Sequence, residues 1–243
     1  MFSFSSLEDL SKSPIKMSAF KVPKSSKLNL EDISNVEVIH WAAMNGKHKI
    51  VKCLLKDNTD VNTRLNHLTP LHQASLYGHQ NVVEYLIKKG ADVNSENDTD
   101  CTSLHLAADQ GHLNVVEFLI NNEADVNSKN IENFTPLHFG AVNGHRNVVE
   151  CLVNNGANVN SKNEAICTPL HFAADKGHQN VVECLIKNGA NVNSKNGENQ
   201  PPLHLATDNG HQNVVECLVK NGANVNSKNE ENWTPLHIAA HNG

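Results

Sequence analysis

The chain has 243 residues, 39% of them hydrophobic, and a formal net charge of −6 from 20 Lys and Arg against 26 Asp and Glu. An acidic balance excludes a general nucleic-acid binder, which needs a basic face to displace counterions. No run approaches the roughly 18 apolar residues of a membrane span. Charge is unevenly placed: residues 1–30 hold five Lys against Glu8 and Asp9, a net of +3, which leaves −9 on the remainder.

Residues 1–30 are rich in Ser and Lys, contain Pro14 and Pro23 and show no sustained periodicity. They are expected to form a disordered basic arm. Their apolar runs are one to three residues long, short of the roughly 7–15 that a signal peptide needs. The expected location is cytoplasmic or nuclear.

From Ser34 onward the sequence returns on itself. A His that closes a Thr-Pro-Leu-His-like tetrad recurs at His40, His72, His105, His138, His171, His204 and His237, spaced by 32 and then five times by 33. The units run from about 34–65, 66–98, 99–131, 132–164, 165–197 and 198–230 to a partial 231–243. In the fifth, Thr168 is placed as helix N-cap and Pro169 as the first helical residue, where a missing N–H costs nothing. Leu170, Ala173 and Ala174 form a small apolar face, and Gly177 closes that short helix. Val181, Val182, Cys184, Leu185 and Ile186 then form a wider apolar stripe on a second helix, which Gly189 ends. An extended loop follows, with Val192 turned inward and Asn193 expected to bond its own turn.

A period of 33 carrying this tetrad is the ankyrin signature, and residues 34–243 resemble ankyrin-repeat proteins. The resemblance implies an all-α solenoid of helix-turn-helix units with hairpin-like loops, stabilised by neighbours stacking in one dimension. Departures from the pattern mark special units. The first begins with Ser34 and Glu37, a capping-box spacing, and is read as an N-terminal cap. Ser103 replaces Pro and Glu123 replaces Gly in the third unit, and Pro201 replaces Thr in the sixth. Each of these is a weaker link by about 1 kcal/mol. Asn133, Asn199 and Asn232 stand at hairpin tips where Asn tolerates positive φ; Ile166, at the same place, is expected to distort its loop. The seventh unit reaches Gly243 after one helix, so Trp233, Leu236, Ile238 and Ala239 are expected to lack cover, and the chain is read as a piece of a longer protein.

Fifteen His invite a metal or catalytic reading, yet seven are the tetrad anchors and five more (His79, His112, His145, His178, His211) fall seven residues later. The resemblance implies that both sets join loops and neighbouring units through ring hydrogen bonds. His48, His67 and His241 remain, and none has a zinc-type spacing. Without an HExxH, P-loop or GxSxG motif, the chain is expected to be non-enzymatic, with no catalytic residue, metal or cofactor. Cys53, Cys151, Cys184 and Cys217 each lie thirteen residues after an anchor, a core position of the second helix. In-register helices lie about 8–10 Å apart, beyond the roughly 7 Å Cα limit for a disulfide. These four are therefore expected to be buried free thiols, and Cys101 and Cys167, two units apart, cannot easily meet.

Positions that vary while the framework repeats are free of structural duty. One set lies four and five residues after the anchor: Leu76 and Tyr77, Asp109 and Gln110, Val142 and Asn143, Asp175 and Lys176, Asp208 and Asn209. Another lies four residues before it: Leu68, Cys101, Phe134, Cys167, Gln200 and Trp233. In the family both sets line the concave groove. With the tip acids Asp98, Asp100, Glu132, Glu164, Glu198, Glu230 and Glu231, the groove is acidic with a few apolar anchors. Its expected partner is a protein carrying a basic segment with an apolar anchor, because interface energy concentrates in such anchors. The expected contacts are Leu68, Tyr77, Asp109, Phe134, Asp175, Asp208 and Trp233, on a monomeric interaction scaffold. The alternatives are the ankyrin portion of a secreted effector or latrotoxin-like toxin, or the targeting arm of a larger enzyme or channel. Finally, Leu-x5-Asp-Val-Asn occurs three times and resembles substrates of the oxygen-dependent asparaginyl hydroxylase, which makes Asn62, Asn94 and Asn127 candidates for hydroxylation.

Overall fold

A computed structural model describes residues 34–243; the expected disordered arm of residues 1–30 lies outside them. Thirteen α-helices and no strands occur among the described residues. The first unit contributes α1 (Asn35–Met44) and α2 (His48–Lys56), followed by α3 (Pro70–Leu76) and α4 (Gln80–Lys88), then α5 (Ser103–Asp109) and α6 (Leu113–Asn121). Next come α7 (Pro136–Val142) and α8 (Arg146–Asn154), α9 (Pro169–Asp175) and α10 (Gln179–Lys187), α11 (Pro202–Asp208) and α12 (Gln212–Lys220), and lastly α13 (Pro235–Asn242). No helix among the described residues is long and apolar enough to cross a membrane.

The local chemistry of each unit follows from its tetrad. Thr168 caps α9 in extended backbone with Pro169 at the first helical position, and its N–H donates to Nδ1 of His171 at 3.0 Å. The Thr168 hydroxyl also reaches Nδ1, at 2.8 Å. Since Nδ1 accepts, Nε2 carries the proton and donates to the Gln200 carbonyl at 3.1 Å. One ring thus fastens a helix start to the following loop. At the other end of α9, Gly177 (φ +72°) forms a Schellman closure, its N–H on Ala174 and that of His178 on Ala173 at 3.3 and 2.9 Å. A side chain on Gly177 would meet the His211 ring of the next unit at 2.7 Å, so this glycine is required twice over, for conformation and for space.

Successive units stack first helix on first helix and second helix on second helix. The core is a column: Leu71, Leu104, Leu137, Leu170 and Leu203 from the first helices alternate with Leu86, Leu119, Leu152, Leu185 and Leu218 from the second, all essentially inaccessible. Ala173 and Ala174 are fully buried, as are Ala107 and Ala108, and their small size lets neighbouring first helices approach closely. Between units the second His set works as expected. Nε2 of His79, His112, His145, His178 and His211 donates to the carbonyls of Met44, Leu76, Asp109, Val142 and Asp175 at 2.8–3.1 Å.

Four expectations need correction. Ile238, expected to lack cover, is only 6% exposed. Asn193 does not serve its own turn: its Nδ2 donates to the Gly222 carbonyl at 3.0 Å and its Oδ1 accepts from Asn224 N–H at 2.8 Å, both in the next unit. Asn191, two residues earlier, holds the local turn instead, accepting from Asn193 N–H at 3.0 Å. The Ile166 loop is not distorted. Ile166 takes φ +61° and its N–H reaches the Asn163 carbonyl at 3.0 Å, as Asn133 does to Asn130 at 2.9 Å; the turn is kept at the expense of about 1–2 kcal/mol of local strain for a β-branched residue. The second-helix thiols are free but unequally covered. Cys184 is buried, Cys151 and Cys217 are half-buried, and Cys53 is exposed, because this position sits at the edge of the apolar stripe and depends on the adjacent unit for cover.

Candidate partner-binding groove

Two rows of side chains run along the stack. One is formed by the C-terminal ends of the first helices. Asp109 ends α5, Asp175 ends α9 and Asp208 ends α11, and each accepts from an Asn one unit further on. Asn143 Nδ2 reaches Asp109 at 2.9 Å, Asn209 reaches Asp175 at 3.0 Å and Asn242 reaches Asp208 at 3.1 Å. Asp175 also pairs with Lys176 at 3.2 Å, and Asp109 accepts from Gln110 at 2.6 Å. These three expected contact acids therefore already link neighbouring units, with Asp175 the most fully neutralised. Sequence reasoning missed the Asn partners, although an Asn recurring five residues after the anchor, opposite an Asp four after the previous one, was a readable signal.

The other row is the loop tips. Backbone bonds join successive tips, from Ile131 N–H to Thr99, Glu164 to Glu132, Gly197 to Ala165 and Glu230 to Glu198, at 2.9–3.2 Å. This ladder holds Glu132 near Glu164, and Glu198 near Glu230 and Glu231. Partial burial, and then the neighbouring carboxylates, push the Glu132 and Glu198 carboxyls above the usual range. Ile131 and Ile166 stand out among them at 52% and 43% exposed, two apolar tips that the varying-position argument had not singled out.

The apolar candidates separate. Tyr77 is half-exposed at the end of α3 with its ring stacked over His79, centroids 6.4 Å apart. Trp233 is also half-exposed and meets His241 edge-on at 5.3 Å. Leu68 and Phe134 lie at 7% and 6% exposure, beneath the surface. Phe134 packs on Phe172, Phe139 and His138 with centroids 5.1–5.6 Å apart, an aromatic cluster that roots one loop to the first helices. Asn62, Asn94 and Asn127 are exposed, and each spans to the next unit through its side chain, donating to Gly90, Glu123 and Gly156 carbonyls at 3.1–3.3 Å.

The anchor His residues are framework. Burial pushes His72, His105, His138 and His171 down to about 4, so they are neutral and carry no charge toward a ligand. Among the described residues, no group of three or more His, Cys, Asp or Glu is placed to hold a metal ion. One family model, described as ankyrin repeats (3 copies), matches residues 17–97, 94–163 and 170–243, and a second, described as ankyrin repeats (many copies), matches 148–186. The chain belongs to the ankyrin-repeat family. The first match begins at residue 17, inside the stretch expected to be a disordered arm. Comparison with curated proteins returns no match. Ankyrin repeats are generally protein–protein interaction modules, and the family is typically non-enzymatic.

Proposed function

We propose that this ankyrin array is an interaction scaffold that holds a basic segment of a partner protein along the row of loop tips and first-helix ends. The observation that carries the reading is the pair of destabilised carboxylates, Glu132 and Glu198, each held near other acids by the tip ladder. A cation laid across the tips favours the ionised form of both, offsetting their partial burial first and the neighbouring acids second, which gives affinity that the free protein lacks. Tyr77 and Trp233, half-exposed and each against a His ring, supply flat surfaces for an apolar side chain of the same segment. The buried Leu68 and Phe134 act on the groove by setting the position of the loops.

A fluorescently tagged Lys-rich peptide containing one aromatic residue tests this by anisotropy on the full chain. The expected result is binding that weakens as salt rises and that falls several-fold in Glu132→Gln/Glu198→Gln, about 1 kcal/mol. Glu150→Gln, at an exposed position of α8, is expected to leave it unchanged. Equal effects at both places contradict the reading. Hydroxylation of Asn62, Asn94 and Asn127 is a separate proposal: all three are exposed, and peptide mass spectrometry of protein from its native cells is expected to show the added mass of one oxygen on each.

A further inference from the structure

The chain contains eight Asn-Gly pairs, at Asn45, Asn143, Asn155, Asn188, Asn196, Asn209, Asn221 and Asn242. Asn-Gly is the dipeptide in which the following amide meets least steric resistance to attacking the Asn side chain. Asn196 is the most firmly held, 6% exposed, with Oδ1 accepting from the N–H groups of Glu198 and Gln200 and the Gly197 N–H committed to Ala165.

Asn143 and Asn209 form a matched pair in the groove. Nδ2 of Asn143 donates to Asp109 and to the Phe139 carbonyl at 2.9 and 3.1 Å; Nδ2 of Asn209 donates to Asp175 and to the Leu205 carbonyl, both at 3.0 Å. The Gly N–H groups donate to Ala141 and Thr207 respectively. What differs is the helix behind each. The helix before Asn143, α7, is closed by the reciprocal Thr135–His138 box. The helix before Asn209, α11, has Pro201 at its N-cap and so no side-chain cap, and Nδ1 of His204 is buried without a partner. The two glycines differ as well: the His178 ring lies 2.7 Å from where a Gly144 side chain would start, and nothing lies within 4 Å at Gly210.

We propose that Asn209–Gly210 is a site of spontaneous modification that adds negative charge to the groove. When α11 opens locally, the Gly210 amide nitrogen attacks Cγ of Asn209. A new C–N bond forms, the Cγ–Nδ2 bond breaks, the nitrogen's proton leaves with Nδ2 as ammonia, and a succinimide ring remains. Solvent water then opens either carbonyl of that ring to give aspartate or isoaspartate, with no change of oxidation state. In the product a carboxylate replaces the donor that now faces Asp175, so attraction between the fifth and sixth units becomes repulsion. This inference stands independently of which partner the groove holds.

A missing N-cap shifts local opening by about five-fold. Peptide mapping by mass spectrometry of the full chain, aged at mildly alkaline pH, is expected to show Asn209 converting about five-fold faster than Asn143. Pro201→Thr, which restores the capping hydroxyl and N–H, is expected to bring Asn209 down toward the Asn143 rate while leaving Asn143 unaffected. Equal rates at the two sites in the native chain, or an Asn209 rate that Pro201→Thr does not slow, overturn the proposal.

Discussion

The fifth and sixth units share most of their core, with Phe172 and Ala174 of the fifth replaced by Leu205 and Thr207 in the sixth, and they differ at the cap of the first helix. In the fifth, the Thr168 N–H and hydroxyl both meet Nδ1 of His171, and the opposite ring nitrogen holds the Gln200 carbonyl. In the sixth, Pro201 offers neither group, so His204 keeps its bond to the Trp233 carbonyl at 3.1 Å and leaves Nδ1 buried and unpaired. The same defect appears at His40, where Glu37 stands in the Thr position. A single substitution outside the hydrophobic column thus removes half of a two-ended clamp without altering the helix it clamps.

The largest expected effect comes from acidifying the clamp everywhere at once. His72, His105, His138 and His171 titrate at about 4 in the folded chain, against roughly 6.5 when unfolded. Their stabilisation is complete above pH 6.5 and is lost as pH falls toward 4, because the unfolded state takes up the protons. Each contributes about 3 kcal/mol over that window, so urea midpoints are expected to fall steeply between pH 6.5 and 4.5. A flat profile would show that these rings are solvated.

Exchanging the caps sharpens the comparison directly. Thr168→Pro is expected to cost about 1–2 kcal/mol, and Pro201→Thr to add about 1 kcal/mol, in chemical denaturation. If both changes are neutral, the hydroxyl is not what distinguishes the two units. Smaller gains are expected where the backbone is strained and the side chain exposed. Glu123 sits at φ +68° and Ile166 at φ +61°; Glu123→Gly and Ile166→Asn are each expected to add about 0.5–1 kcal/mol.

Much of this was legible in the sequence, because helix starts, helix ends and the leucine column all repeat with the tetrad. Thr168, Pro169, Gly177 and Gly189 stand where their residue types predict. Apart from the two His sets, less legible were side chains whose partner lies a unit away. Asn193 has the composition of a turn residue, yet its acceptor is Gly222, and only the stacked geometry shows that. The same holds for exposure. Phe134 and Trp233 occupy equivalent positions, but Phe134 has Phe139 and Phe172 to pack on, and Trp233 remains half-exposed. Cys53 and Cys184 likewise share a register and differ in cover, which depends on the neighbouring unit and not on the residue.

Hydrogen exchange of the full chain, with and without a saturating Lys-rich peptide that carries one aromatic residue, tests the groove assignment most directly. Added protection is expected at the tips around Glu132 and Glu198 and at the ends of α3, α5 and α9. Protection confined to α8 and α10, or none at all, would contradict it.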